Sequence, residues 1–116
     1  AGCGYIPGGA GPEAEVLLQR TGVEITEAKI GIEFSVSRDG VVKVNVQAST
    51  DRADPYFEVF KGNEEDATMD DLMFWSNSDD DGQEIDSHYL EKGVYTLYLQ
   101  DQEAVEDAVF SVLITQ

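Results

Sequence analysis

The stretch between Lys61 and Lys92 holds 11 Asp and Glu and no Lys or Arg, and it is where this chain could do chemistry. Asn77, Asp79 and Asp81 fall at alternate positions, and Gly82 follows them. Oxygen donors at positions one, three and five, with a glycine at six, let a chain curl around a hard cation. The twelfth position is His88 and not a glutamate, so this is not an EF-hand. A calcium site would have to recruit Glu84, Asp86 or an acid from another loop. Calcium is therefore the one cofactor the residues suggest. A solvated turn explains the same Asp, Asn and Gly, because these residues are favoured in turns.

Catalysis finds less support. Glycoside hydrolysis needs two carboxylates across a cleft, one with a raised pKa. These acids cluster in polar loops, where water keeps them ionised. His88 is the only histidine and the only base within reach of nucleophilic chemistry, and no nucleophile-elbow motif accompanies it. The expectation is a protein that is not an enzyme. The aromatic residues fit recognition better. Tyr56, Tyr89 and Tyr98 lie in strand-like runs and are expected to form a binding platform for a protein or polysaccharide. Trp75 is expected in the core.

The single cysteine, Cys3, excludes an intramolecular disulfide. Ala1-Gly2-Cys3 is similar to the end of a bacterial lipobox, whose cysteine takes lipid. Residues 1–12 are dominated by Gly and Pro and read as a flexible tether, with residues 13–116 as one folded domain. A lipidated Cys3 would tie that domain to a membrane. No apolar run of about 18 residues is present. With 24 Asp and Glu against 7 Lys and Arg, the net charge is −17. Such a surface repels phosphate backbones, so nucleic acid is excluded as a partner.

The elements that must position these residues read as strands. Ile30, Ile32, Phe34 and Val36 alternate with small or polar residues, and so do Val42, Val44, Val46 and Ala48. Arg38-Asp39-Gly40 lies between them, and Asp-Gly between alternating runs predicts a tight β-hairpin. Further runs follow over Tyr56 to Lys61, Leu72 to Trp75, Ile85 to Leu90, Val94 to Gln100 and Val109 to Thr115. Tyr56, Glu58 and Phe60 fall on the opposite face from Phe57 and Val59. Glu15 to Arg20 fits either a strand or a helical turn. Short strands at this spacing predict an all-β, jelly-roll-like antiparallel sandwich of about seven to eight strands.

In their order, these segments resemble the bacterial pre-peptidase C-terminal domain, related to the collagen-binding domains of secreted collagenases. The resemblance runs from Ile32 to Thr115. It rests on Ile32-Glu33-Phe34-Ser35-Val36, on Asp54-Pro55-Tyr56-Phe57-Glu58-Val59-Phe60-Lys61-Gly62-Asn63, on Ser76 to Gly82, and on Gly93-Val94-Tyr95-Thr96-Leu97-Tyr98-Leu99. The acidic insert from Glu64 to Asp71 departs from it, being longer than the short turn such domains carry. The resemblance implies a non-catalytic, exported binding or accessory module that recognises an extracellular protein or polysaccharide. Its location would be secreted, periplasmic or in the cell envelope. The alternative is a calcium-stabilised structural or envelope lipoprotein domain.

Overall fold

The structure is a computed structural model, and it describes residues 15–25, 28–65, 68–77 and 82–116. The expected tether, residues 1–12, lies outside the described residues. Eight strands form in chain order: β1 Val16–Val23, β2 Ile30–Val36, β3 Gly40–Ala48, β4 Pro55–Lys61, β5 Leu72–Ser76, β6 Gln83–Leu90, β7 Gly93–Asp101 and β8 Phe110–Thr115. One sheet has the order β1-β8-β3-β6 and the other β2-β7-β4-β5. All pairings are antiparallel. Two four-stranded sheets in this order are a jelly roll.

The alternation seen in the sequence sorts side chains to the two sides of each sheet. From the first sheet, Val42, Val44, Val46, Val112 and Ile114 point inward and are wholly buried. From the second come Phe57, Val59, Leu97 and Leu99, equally buried. Together they form one continuous core. Aromatic rings fill its ends. Phe34 stacks on Tyr95 at 5.9 Å, and Phe57 meets Phe74 edge-on at 6.0 Å.

The expected hairpin between β2 and β3 does not form. β2 pairs with β7 in one sheet, while β3 pairs with β6 and β8 in the other. Arg38-Asp39-Gly40 is an arch that crosses the sandwich, so the apolar rows of β2 and β3 face across the core and do not lie side by side. Alternation and Asp-Gly are common to both solutions. Long-range contacts decide between them: the Asp39 carboxylate accepts the Lys92 N–H at 2.7 Å, fastening the arch to the β6–β7 turn. Ser37 donates to Glu15 at 2.7 Å, and Gln116 donates to the Arg38 carbonyl. The ambiguous first segment is a strand, added at the edge against β8.

Two side chains hold the connections in place. The Tyr95 ring is buried, and its hydroxyl donates to the Glu91 carbonyl at 2.6 Å, four residues upstream. This contact braces the β6–β7 turn in the manner of a tyrosine corner. At the other end, Asp101 accepts three backbone N–H groups. Asp54 and Glu103 donate to one oxygen at 2.9 and 3.0 Å, and Val105 donates to the other at 2.9 Å. One carboxylate thus organises both the β3–β4 and β7–β8 connections. Tyr95→Phe and Asp101→Ala are each expected to lower unfolding free energy by about 1–3 kcal/mol. Urea denaturation checks this, and an unchanged midpoint for either variant would refute its role.

Candidate functional site

The expected aromatic platform divides between the two sides of the sandwich. On β4, Tyr56, Glu58 and Phe60 face away from the core, opposite Phe57 and Val59, as the alternation implied. The register extends this outer row. Gly31, Tyr98, Glu58 and Trp75 lie side by side across β2, β7, β4 and β5. Trp75 therefore belongs to the outer surface. It is 57% exposed, which corrects the expectation that it would be core. The reason lies in its strand: Phe74 takes the inward position at 5% exposure, and period-2 alternation sends its neighbour out. Tyr89 sits elsewhere, on the outward side of β6 in the other sheet, opposite Val41. Tyr56, Tyr89 and Tyr98 do not make one platform.

The first residue of the acidic insert, Glu64, lies against the β2 and β7 side of the β2-β7-β4-β5 face. Gly62 and β7 exchange bonds, from Gly62 N to the Val94 carbonyl and from the Thr96 hydroxyl to the Gly62 carbonyl, both at 2.8 Å. The Tyr98 hydroxyl donates to the Glu64 carbonyl at 3.2 Å. The Glu64 carboxylate occupies the space above Gly31, where any Cβ would collide with it. Phe60 is buried and meets Tyr98 edge-on at 5.4 Å. Lys29 lies over the other side of the Tyr98 ring at 4.6 Å, a cation–π contact. Tyr98 is thus committed to internal contacts, whereas Trp75 on the β4–β5 side is exposed.

On that side, Glu58 sits between two aromatics. Tyr56 is two residues away on the same strand face, and Trp75 is its cross-strand partner. Burial raises the Tyr56 phenol pKa above 10.0, and the adjacent Glu58 carboxylate, hydrogen-bonded to it, raises it further. Glu58 did not stand out in the sequence, and Trp75 stood out as an aromatic expected in the core. The signal was available in the Phe74-Trp75 alternation, which puts the indole on the side away from Phe74.

The five residues expected at a calcium site are partly visible. Asp79 and Asp81 lie outside the described residues, as does Cys3. Asn77 is exposed. Glu84 and Asp86 both turn inward on β6, opposite Val46 and Val44. Glu84 is 1% exposed, and Asp86 accepts the Ser87 N–H at 2.8 Å. Among the described residues no group of three metal-ligating side chains occurs. The loop closes at Gly82, whose φ of +71° and approach to the Thr50 carbonyl both demand a glycine. His88 is exposed and stacks on Phe74 at 4.9 Å.

The β1-β8-β3-β6 sheet has a different exterior. Val41, Lys43, Asn45 and Gln47 point outward on β3, with Tyr89, Ser87, Ile85 and Gln83 beside them on β6. Thr115, Leu113 and Ser111 flank the other side on β8. No acid stands among them, because the only two acids in this sheet's strands, Glu84 and Asp86, face inward.

Comparison with solved structures identifies the fold class as that of a pre-peptidase C-terminal domain, as the sequence motifs implied. The chain is similar to the pre-peptidase C-terminal domain of collagenase from Bacillus anthracis, with a TM-score of 0.57 and 11% identity. The match covers 86% of this chain and 88% of that one. At this identity the likeness is one of fold. No protein-family model matches the chain, and no curated protein matches it.

Three tyrosines make the fold sensitive to alkaline pH. Burial first, and then Glu91, raises the Tyr95 phenol above 10.0; burial and then Glu64 do the same for Tyr98. The folded chain therefore keeps these protons, and Tyr56's, to higher pH than the unfolded chain does. Their contribution is complete below pH 10 and is lost as pH rises through the folded-state values. Thermal melts are expected to fall above pH 10 in step with tyrosinate absorbance. A melting temperature that holds until all five tyrosines are ionised would contradict this.

Proposed function

We propose that this chain is a non-catalytic, exported binding module that recognises an extracellular protein through the β4–β5 side of its β2-β7-β4-β5 face. One observation carries the reading: the Glu58 carboxylate lies between Tyr56 and the exposed Trp75. A carboxylate flanked by aromatic faces is the chemistry that takes a lysine or arginine. The acid pairs with the cation, and the rings attract it through their quadrupoles while covering its apolar stem. The charge of −17 supports the same partner, because it speeds encounter with basic surfaces. The pre-peptidase C-terminal fold supports an accessory role outside the cytoplasm.

The test is a fluorescence titration of Trp75, the only tryptophan, with arginine- and lysine-containing peptides. Saturable change is expected. Glu58→Gln should weaken binding about tenfold, equivalent to about 1.4 kcal/mol, while leaving the melting temperature near that of the parent. Binding that is indifferent to Glu58→Gln would sink the proposal.

A further inference from the structure

The outward surface of the β1-β8-β3-β6 sheet is unlike the rest of this molecule. The chain has 24 acids, yet none stands at an outward position of these four strands, and Lys43 is the only charge on β3, β6 or β8 that points out. The side chains there are amides, hydroxyls and exposed apolar groups. Val41 and Tyr89, 61% and 57% exposed, pair at one end. From Asn45 toward the other end runs a groove of ≈ 200 Å³ between β1, β8 and β3, lined by Gln19, Arg20, Thr21, Asn45, Gln47 and Ser111, with Val112 and Leu113 supplying apolar surface. Past Gln47 and Ser111 a second recess of ≈ 200 Å³ continues it to Gly22 and Ser49. Neither recess has an acidic residue in its walls. Asn45 Oδ1 is buried without a hydrogen-bond partner among the described residues.

We infer that this face binds a neutral polysaccharide, independently of the basic-protein site on the opposite sheet. Three features select that ligand. Amides and hydroxyls both donate and accept, which matches sugar hydroxyls. The two recesses share Gln47 and Ser111, so they form an extended track suited to a chain. Beyond Lys43, at the opposite end of the sheet, the exposed Val41 and Tyr89 offer apolar surface to sugar rings. Charge argues against a second copy as the occupant. Pairing two faces would bring two molecules of charge −17 together, whereas a neutral polymer carries no opposing field.

The test is native electrophoresis of the whole chain through gels containing hydroxyethylcellulose, laminarin, galactomannan or dextran, with polygalacturonate as the anionic comparison. Retardation is expected in at least one neutral polymer. The exposed Gln19 and Gln47 are dispensable for folding, so Gln19→Ala/Gln47→Ala should fold normally and weaken retardation about tenfold or more. Trp75→Ala strips the opposite face and separates the two sites: retardation that survives it belongs here. The proposal is overturned if no neutral polymer retards the chain, or if only polygalacturonate does. It is equally overturned if the double variant behaves as the parent, or if Trp75→Ala abolishes retardation. A dimer in sedimentation that Gln47→Glu dissociates would give the face to a second copy instead.

Discussion

Val42, Val44 and Val46 have no surface in contact with water, and neither do Phe57, Val59, Leu97 and Leu99 from the other sheet. Burying a side chain of this kind contributes about 1.5–3 kcal/mol. In a molecule of 116 residues and charge −17, which repels itself, that closure is what makes a folded state possible. It also dictates where charge can go. Every second residue of an inner row must be apolar, so acids are confined to loops, edges and outward positions. Glu84 and Asp86 on the edge strand β6 are the exceptions, turning toward the interior where the sandwich is open to one side.

The functional surfaces follow from that division. One exterior keeps acids beside aromatics: Glu58 between Tyr56 and Trp75, with Glu33 and Glu64 alongside. The Glu64 N–H donates to Glu33 at 3.3 Å, so the start of the insert is anchored to this face. Glu64 lies over Gly31 and Tyr98, whereas Trp75 on the β4–β5 side is exposed. The other exterior is free of acids and bears amides in a row. A domain with two chemically distinct faces on opposite sides of a rigid sandwich can hold two different surfaces at once.

Strand positions and faces were legible in the residues because period-2 alternation is a local signal. It placed Tyr56, Glu58 and Phe60 opposite Phe57 and Val59 correctly, and it supported a jelly roll before any pairing was known. What it lacks is partner choice. Arg38-Asp39-Gly40 has hairpin chemistry, yet the chain crosses to the other sheet there, because the carboxylate of Asp39 serves the distant β6–β7 turn. Tyr89 was grouped with Tyr56 and Tyr98 for the same reason, since alternation gives a face within a strand and not which sheet the strand joins. Trp75 is expected in the core because a two-layer sandwich buries most of its aromatics, whereas in β5 its neighbour Phe74 takes the inward position. Asp101 gave no local sign of its role, because its three donors come from Asp54, Glu103 and Val105 on two connections.

The central claim is that recognition resides in ordered sheet faces and not in diffuse attraction to the acidic loops. Amide-resolved NMR of the labelled chain, titrated with a short lysine-containing peptide, tests it most directly. The account predicts shifts concentrated at Tyr56, Glu58 and Trp75, including the indole N–H, with the loops around Asp70 and Glu103 little changed. Shifts spread evenly over those loops, with Trp75 silent, would contradict it.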